Sequence, residues 1–90
     1  MSIEVIIPPF LQRLAGDSIS VNVSGGTVRE CLEQLIQLYP LLEERIFTAR
    51  GTLRKGINIF VNGKSAFPRE LGKKVKHSDR VYIASIIMGG

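Results

Sequence analysis

Thr27-Val28-Arg29-Glu30-Cys31-Leu32-Glu33-Gln34-Leu35-Ile36-Gln37-Leu38-Tyr39-Pro40 decides the fold. Val28, Cys31, Leu32, Leu35, Ile36 and Tyr39 recur at the spacing of one helix face. Arg29, Glu30, Glu33, Gln34 and Gln37 cover the other side. Thr27 and Glu30 stand three apart, the capping-box spacing that satisfies backbone donors left orphaned at a helix start. The helix therefore begins at Val28, and Pro40 ends it, because a residue preceding proline is pushed out of the helical region. One long helix with a single apolar stripe needs a sheet to cover that stripe.

Strand patterns lie on both sides of it. Toward the N-terminus, Ile3-Glu4-Val5-Ile6-Ile7 is a β-prone run halted by Pro8-Pro9, which cannot donate ladder hydrogen bonds. Ser18 to Ser24 alternates polar and β-branched residues, placing Ile19, Val21 and Val23 on one face of a half-buried strand. Phe10 to Asp17 is short enough for a hairpin-like connection, so these two strands should be antiparallel neighbours. Gly25-Gly26 ends the second. Past the helix, Leu41 to Ile46 reads as a further helical turn and Thr48 to Lys55 as an exposed loop. Ile57-Asn58-Ile59-Phe60-Val61 is strongly β-prone, and Asn62-Gly63 tolerates the positive φ of a tight turn. Lys64 to Ser78 is irregular, with Leu71 and Val75 plugging the core, and Ser78-Asp79 turns into a last strand, Val81 to Ile86. A hairpin, a crossing helix and a returning pair of strands form an α+β fold of the β-grasp (ubiquitin-like) plan, a mixed sheet wrapped around one main helix. One such domain should fill residues 1–90, with a flexible diglycine tail over about 87–90.

Ninety residues suffice for one core but are too few for an enzyme of ordinary size to enclose its substrate. Hydrophobic residues at 44% and charged residues at 22% fit a folded chain. The single Cys31 excludes an internal disulfide, and Cys31 with the lone His77 cannot supply a zinc site of several Cys or His ligands, so no metal is expected. Cys31 falls on the inner helix face as a core residue, and His77 falls in a turn. No uncharged apolar run approaches the about 18 residues of a membrane span, and Glu4 stands where a signal peptide carries positive charge. A cytoplasmic protein without a membrane partner is expected.

Charge is unevenly spread. Residues 1–44 hold two basic and six acidic side chains, whereas residues 45–80 hold ten basic and two acidic. A basic half of this kind is a solvated face, a steering surface for an acidic protein, or a phosphate-binding surface. No RNA-binding motif or aromatic-interleaved basic stretch accompanies it, so nucleic acid is not an expected partner. No Ser/His/Asp, Cys/His or paired-carboxylate group assembles, so the chain is not expected to be an enzyme by itself.

The uncharged run Val81 to Met88 ends on Gly89-Gly90, two residues without Cβ that let a backbone enter a narrow slot. Together with Ile7-Pro8, Leu11, Gly16, Gly26-Thr27-Val28, Ile57 to Asn62 and Asp79-Arg80-Val81, in this order and spacing, the chain resembles the ubiquitin-like sulfur carriers of bacteria and archaea. These are the molybdopterin synthase small subunit, the thiamin sulfur carrier and the cysteine-pathway sulfur carrier. Length, the Tyr39-Pro40 helix end and the third-strand segment are nearest the last. The resemblance departs at two places. The family often has Asp-Gly-Asp where this chain has His77-Ser78-Asp79, and a proline and small residue where it has Ile86-Ile87-Met88.

The resemblance implies that a ubiquitin-activating-type adenylyltransferase uses ATP to convert the Gly90 carboxylate to an acyl-adenylate. A sulfur donor then displaces AMP, and the thiocarboxylate passes its sulfur to a biosynthetic enzyme, cysteine-synthase-like or a molybdopterin synthase large subunit. The chain itself binds no cofactor. Gly90 carries the acyl group, and Gly89, with Met88 before it, threads the partner's channel. Ile86 to Gly90 extended span at most about 17 Å. By strand alternation Phe60, Tyr82, Ala84 and Ile86 face outward and lead toward the tail, an apolar cluster of the kind that marks protein interfaces. It should dock the adenylyltransferase, helped by Arg54, Lys55, Lys73 and Lys76. A ubiquitin-like modifier joined through Gly90 to lysines, and a β-grasp binding module without tail chemistry, remain as other readings.

Overall fold

A computed structural model describes residues 2–85 of the chain. The first strand, β1 (Ile3–Ile6), is followed by the short helix α1 (Pro9–Gln12), a 3-10 turn over Arg13–Ala15, and β2 (Ser20–Val23). The long helix α2 spans Val28–Leu38. A 3-10 turn at Pro40–Leu42, α3 (Glu43–Ile46), β3 (Ile57–Val61), β4 (Lys64–Ser65) and β5 (Arg80–Ser85) complete the order. The strands form one sheet in the order β2-β1-β5-β3-β4. The β1–β5 pair is parallel and the others are antiparallel. This is the β-grasp arrangement expected from the sequence.

Local chemistry explains the central helix. The Glu30 N–H donates to Thr27 Oγ1 at 3.2 Å, as a capping box requires. The return bond differs, because Glu30 Oε1 accepts from Gly26 N–H at 2.7 Å rather than from the cap residue's own amide. Val28, Cys31, Leu32 and Leu35 are buried along one stripe. They meet Ile3, Val5 and Ile7 around β1, Ile59 and Val61 on β3, and Val81 and Ile83 on β5, which alternate inward with period two. Fully burying one such aliphatic side chain stabilises the fold by roughly 1.5–3 kcal/mol. Gly25 lets the chain pass close to the helix start. A Cβ there would lie 2.9 Å from the Cys31 backbone nitrogen and 3.0 Å from its sulfur.

Four features differ from the sequence reading. The β1–β2 connection coils into α1 and a 3-10 turn, since Pro9 at the first helical position has a suitable φ and no amide to satisfy. Ile19 is 70% exposed rather than sharing the inner face with Val21 and Val23. β2 starts only at Ser20, so Ile19 lies just outside the strand whose alternation placed it inward. Asn62 and Gly63 take φ of 52° and 85°, a tight turn whose continuation is the two-residue β4, absent from the sequence reading. The last strand begins at Arg80, one residue earlier than expected, and its expected end at Ile86 lies outside the described residues. Val75 is buried and Leu71 packs against the core, as the irregular 64–78 segment required.

Candidate functional site: the outer sheet face beside the last strand

β5 occupies the centre of the sheet, with β1 on one side and β3 on the other. Its last described residue, Ser85, pairs with Ile57 at the start of β3. Ser85 and Ile57 thus mark the end of the β3–β5 pair at which the described chain stops. Ile86, Met88, Gly89 and Gly90 lie outside the described residues.

Because Val81 and Ile83 point into the core, Tyr82 and Ala84 point outward. Tyr82 stands opposite Phe60, and Ala84 opposite Asn58. On the other side Tyr82 is in register with Ile6 of β1. Ile6, Tyr82 and Phe60 thus form a half-buried apolar row across three adjacent strands, with Ala84 one step nearer the strand end. The sequence reading brought Phe60, Tyr82 and Ala84 to this face and missed Ile6. Alternation alone puts Ile6 on the outer face, between inward Val5 and Ile7, but only the β1–β5 pairing brings it beside Tyr82.

Polar groups fix one end of the row. Glu4 and Arg80, paired in register on the same outer face, form an ion pair of 3.0 Å. The Arg80 pKa is raised by its bond to the Tyr82 side chain and next by the Glu4 charge, so the guanidinium stays ionised beside the apolar row. Behind it, Asp79 ties three segments together. One carboxylate oxygen accepts from Asn62 Nδ2 and the other from Lys76 N–H, each at 2.9 Å. Glu4 N–H donates to the Asp79 carbonyl at 3.1 Å, while Arg80 N–H donates to Asn62 Oδ1 at 2.9 Å. The bonds from Asn62 and then Lys76 hold the Asp79 carboxyl below its ordinary pKa. Ser78 takes a positive φ of 75° in the turn before β5. His77 Nδ1 accepts from Ser2 N–H at 3.0 Å, a local tie at the start of β1.

The basic residues expected to assist docking are not one cluster. Arg54 and Lys55 precede β3 with Gly56 between, at the end where Ser85 lies. The Arg54 Nε donates to the Glu44 carbonyl, drawing that guanidinium toward α3. Lys73 and Lys76 instead line a groove with Val61, Asn62 and Asp79, at the opposite end of the β3–β5 pair. Six residues of β5 separate the two ends by about 17 Å at roughly 3.3 Å per step. The spacing along the sequence could not reveal this, because the antiparallel pairing sends the two loops to opposite poles.

Cys31 is fully buried, and burial and then the neighbouring Glu30 charge push its thiol up to about 11, which makes it a core residue without nucleophilic character. Among the described residues no group of three or more His, Cys, Asp or Glu could hold a metal ion. None of their helices is long and apolar enough to cross a membrane.

Residues 5–90 match the ThiS family. The chain belongs to the ThiS family. Sulfur carrier protein CysO of Mycobacterium tuberculosis is 30% identical over 93 residues, covering 100% of each chain. Small archaeal modifier protein 1 of Haloferax volcanii is 33% identical over 82 residues, covering 89% of this chain and 91% of that one. Among solved structures, that of the Amycolatopsis orientalis BexX/CysO complex superposes with a TM-score of 0.87 at 28% identity, over 98% of this chain and 99% of the other. This ThiS-family chain therefore stands in a group of sulfur carriers and ubiquitin-like modifiers, and one relative of its fold is seen in complex with a second protein.

Proposed function

We propose that the chain is a cytoplasmic sulfur carrier whose working group is the Gly90 carboxylate. A partner adenylyltransferase of the ubiquitin-activating type transfers AMP from ATP to that carboxylate, releasing pyrophosphate. A carboxylate is a poor electrophile, and the acyl-adenylate is a good one. A sulfide-equivalent donor attacks the acyl carbon, AMP leaves, and the thiocarboxylate delivers sulfur to a biosynthetic enzyme. The cysteine-synthase-like class is favoured as that acceptor by the likeness to a CysO carrier over the whole chain. In this reading the chain contributes a substrate carboxylate and a recognition surface, with no catalytic group of its own.

The observation that carries the reading is the apolar row Ile6, Tyr82 and Phe60 on the outer face of β5, the last described strand before Gly89-Gly90 in the sequence. A partner resting on this row, and on Ala84 beyond it, has the start of the tail in reach. The tail, at most about 17 Å extended, is long enough for a recessed nucleotide. Arg54 and Lys55 stand at the rim of that end.

Incubation with ATP, the adenylyltransferase and sulfide, followed by intact mass, tests the proposal. A mass gain equal to sulfur replacing one oxygen supports it, and its loss on deleting Gly90 places the sulfur there. The second reading, a protein modifier, rests on the similarity to small archaeal modifier protein 1. It predicts slower-migrating conjugates joined through Gly90 to lysine side chains.

A further inference from the structure

Lys64, Lys73, Lys74 and Lys76 surround one groove at the end of the β3–β5 pair away from Ser85. All four side chains are exposed, and the floor between them includes Val61 and Val75, which are buried. Among the described residues the one carboxylate in the lining, Asp79, already accepts from Asn62 and Lys76 N–H with its two oxygens. None of the four lysines forms an ion pair among the described residues, and the single charge of Asp79, felt by Lys76 and Lys73, offsets only part of theirs.

The lysines stand on fixed backbone. Val28 N–H donates to the Lys73 carbonyl at 2.9 Å, and Val75 N–H to the Gly26 carbonyl at 3.0 Å. Lys74 bridges to Thr27 at the α2 cap. Like charges gathered on a platform that cannot spread apart repel one another, and an anionic partner relieves that repulsion. We propose that this groove is a second docking surface, for an acidic segment of another protein.

Two features favour a polypeptide over nucleic acid. Among the described residues no aromatic side chain lines the groove, so bases lack the stacking worth roughly 1–3 kcal/mol each on single-strand-binding surfaces. Val61 and Val75, 6% and 7% exposed, leave a narrow apolar strip between the charges, which suits Asp and Glu residues interspersed with small aliphatic ones. Because the groove lies about 17 Å along β5 from Ser85, a protein seated there leaves the tail end free. The surface stands or falls independently of the sulfur-carrier reading.

The test is an amide-shift titration of the full chain with a synthetic peptide of alternating Glu and Val, and separately with a uridine decanucleotide, at low and moderate salt. The expected result is salt-sensitive binding of the peptide, with shifts at Lys64, Lys73, Lys74 and Lys76 and little change at Ser85. The double substitution Lys73→Glu and Lys76→Glu should weaken it about tenfold or more, and Lys64→Glu, at the exposed hairpin, provides a second variant remote from the loop. An unshifted groove, decanucleotide binding as tight as the peptide's, equal shifts at Arg54 and Lys55, or groove shifts that depend on protein concentration without peptide would each overturn the proposal.

Discussion

β3 and β5 present two faces built from alternate residues of the same short strands. Inward, Ile59, Val61, Val81 and Ile83 are buried against α2, while outward Asn58, Phe60, Tyr82 and Ala84 are half-buried. The inner set is as apolar as the core demands. The outer set holds two aromatic rings that the core does not use, and it lies along the strand leading to the diglycine. One face is selected by packing, and the other is the docking face proposed for the partner. Substitutions on the two faces should therefore separate stability from binding.

The largest loss of stability is expected on the inner face. Ile83→Ala removes a side chain 3% exposed at the centre of the sheet, and a chemical-denaturation curve should record a loss of about 2–5 kcal/mol. Phe60→Asp on the outer face should cost only about 1 kcal/mol, the scale of its cross-strand pair with Tyr82. Its effect should appear in affinity for the adenylyltransferase, measured by calorimetry. Equal stability losses at both positions would erase the distinction between the faces.

Gly25→Ala tests the helix contact that supports the inner face. A Cβ within 3.0 Å of three Glu30 and Cys31 atoms forces the β2–α2 connection apart, and a loss of about 1–3 kcal/mol is expected in thermal unfolding. A smaller change of opposite sign is expected at the turn before β5. Ser78→Gly relieves a positive φ that costs a residue with Cβ roughly 1–2 kcal/mol, partly offset by the greater freedom of glycine when unfolded. The variant should melt slightly above the parent.

Comparing the parent with Asp79→Asn in acid isolates the contribution of Asp79. Its carboxyl has a lowered pKa in the fold, so it adds stability above the ordinary aspartate range near about 3.9 and loses it as pH falls through the folded value. Urea midpoints of the parent and of Asp79→Asn should differ at neutral pH and converge in acid.

The helix and its faces were legible because Thr27 to Pro40 obeys helical spacing and capping chemistry without tertiary help. Phe60 and Tyr82 were legible for a similar reason, since alternation places them opposite the inward valines and isoleucines. What escaped depended on pairing. Ile6 joined the row only because β1 lies parallel to β5, and β4 existed only because the Asn62-Gly63 turn folds Lys64 and Ser65 back onto β3. Arg54 and Lys55 were grouped with Lys73 and Lys76 by charge, and the antiparallel β3–β5 register parts them. Ile19 was placed inward by a pattern that continues one residue past the strand that uses it.

The central claim is that the outer face delivers Gly90 to an activating partner. Intact mass of the parent and of Phe60→Asp, after equal times with ATP, sulfide and limiting adenylyltransferase, tests it most directly. The account predicts exchange of one oxygen for sulfur on the parent, much slower exchange on a folded Phe60→Asp chain, and none without Gly90. Parent protein that stays at its original mass while AMP accumulates, or a Phe60→Asp variant loaded as fast as the parent, would contradict it.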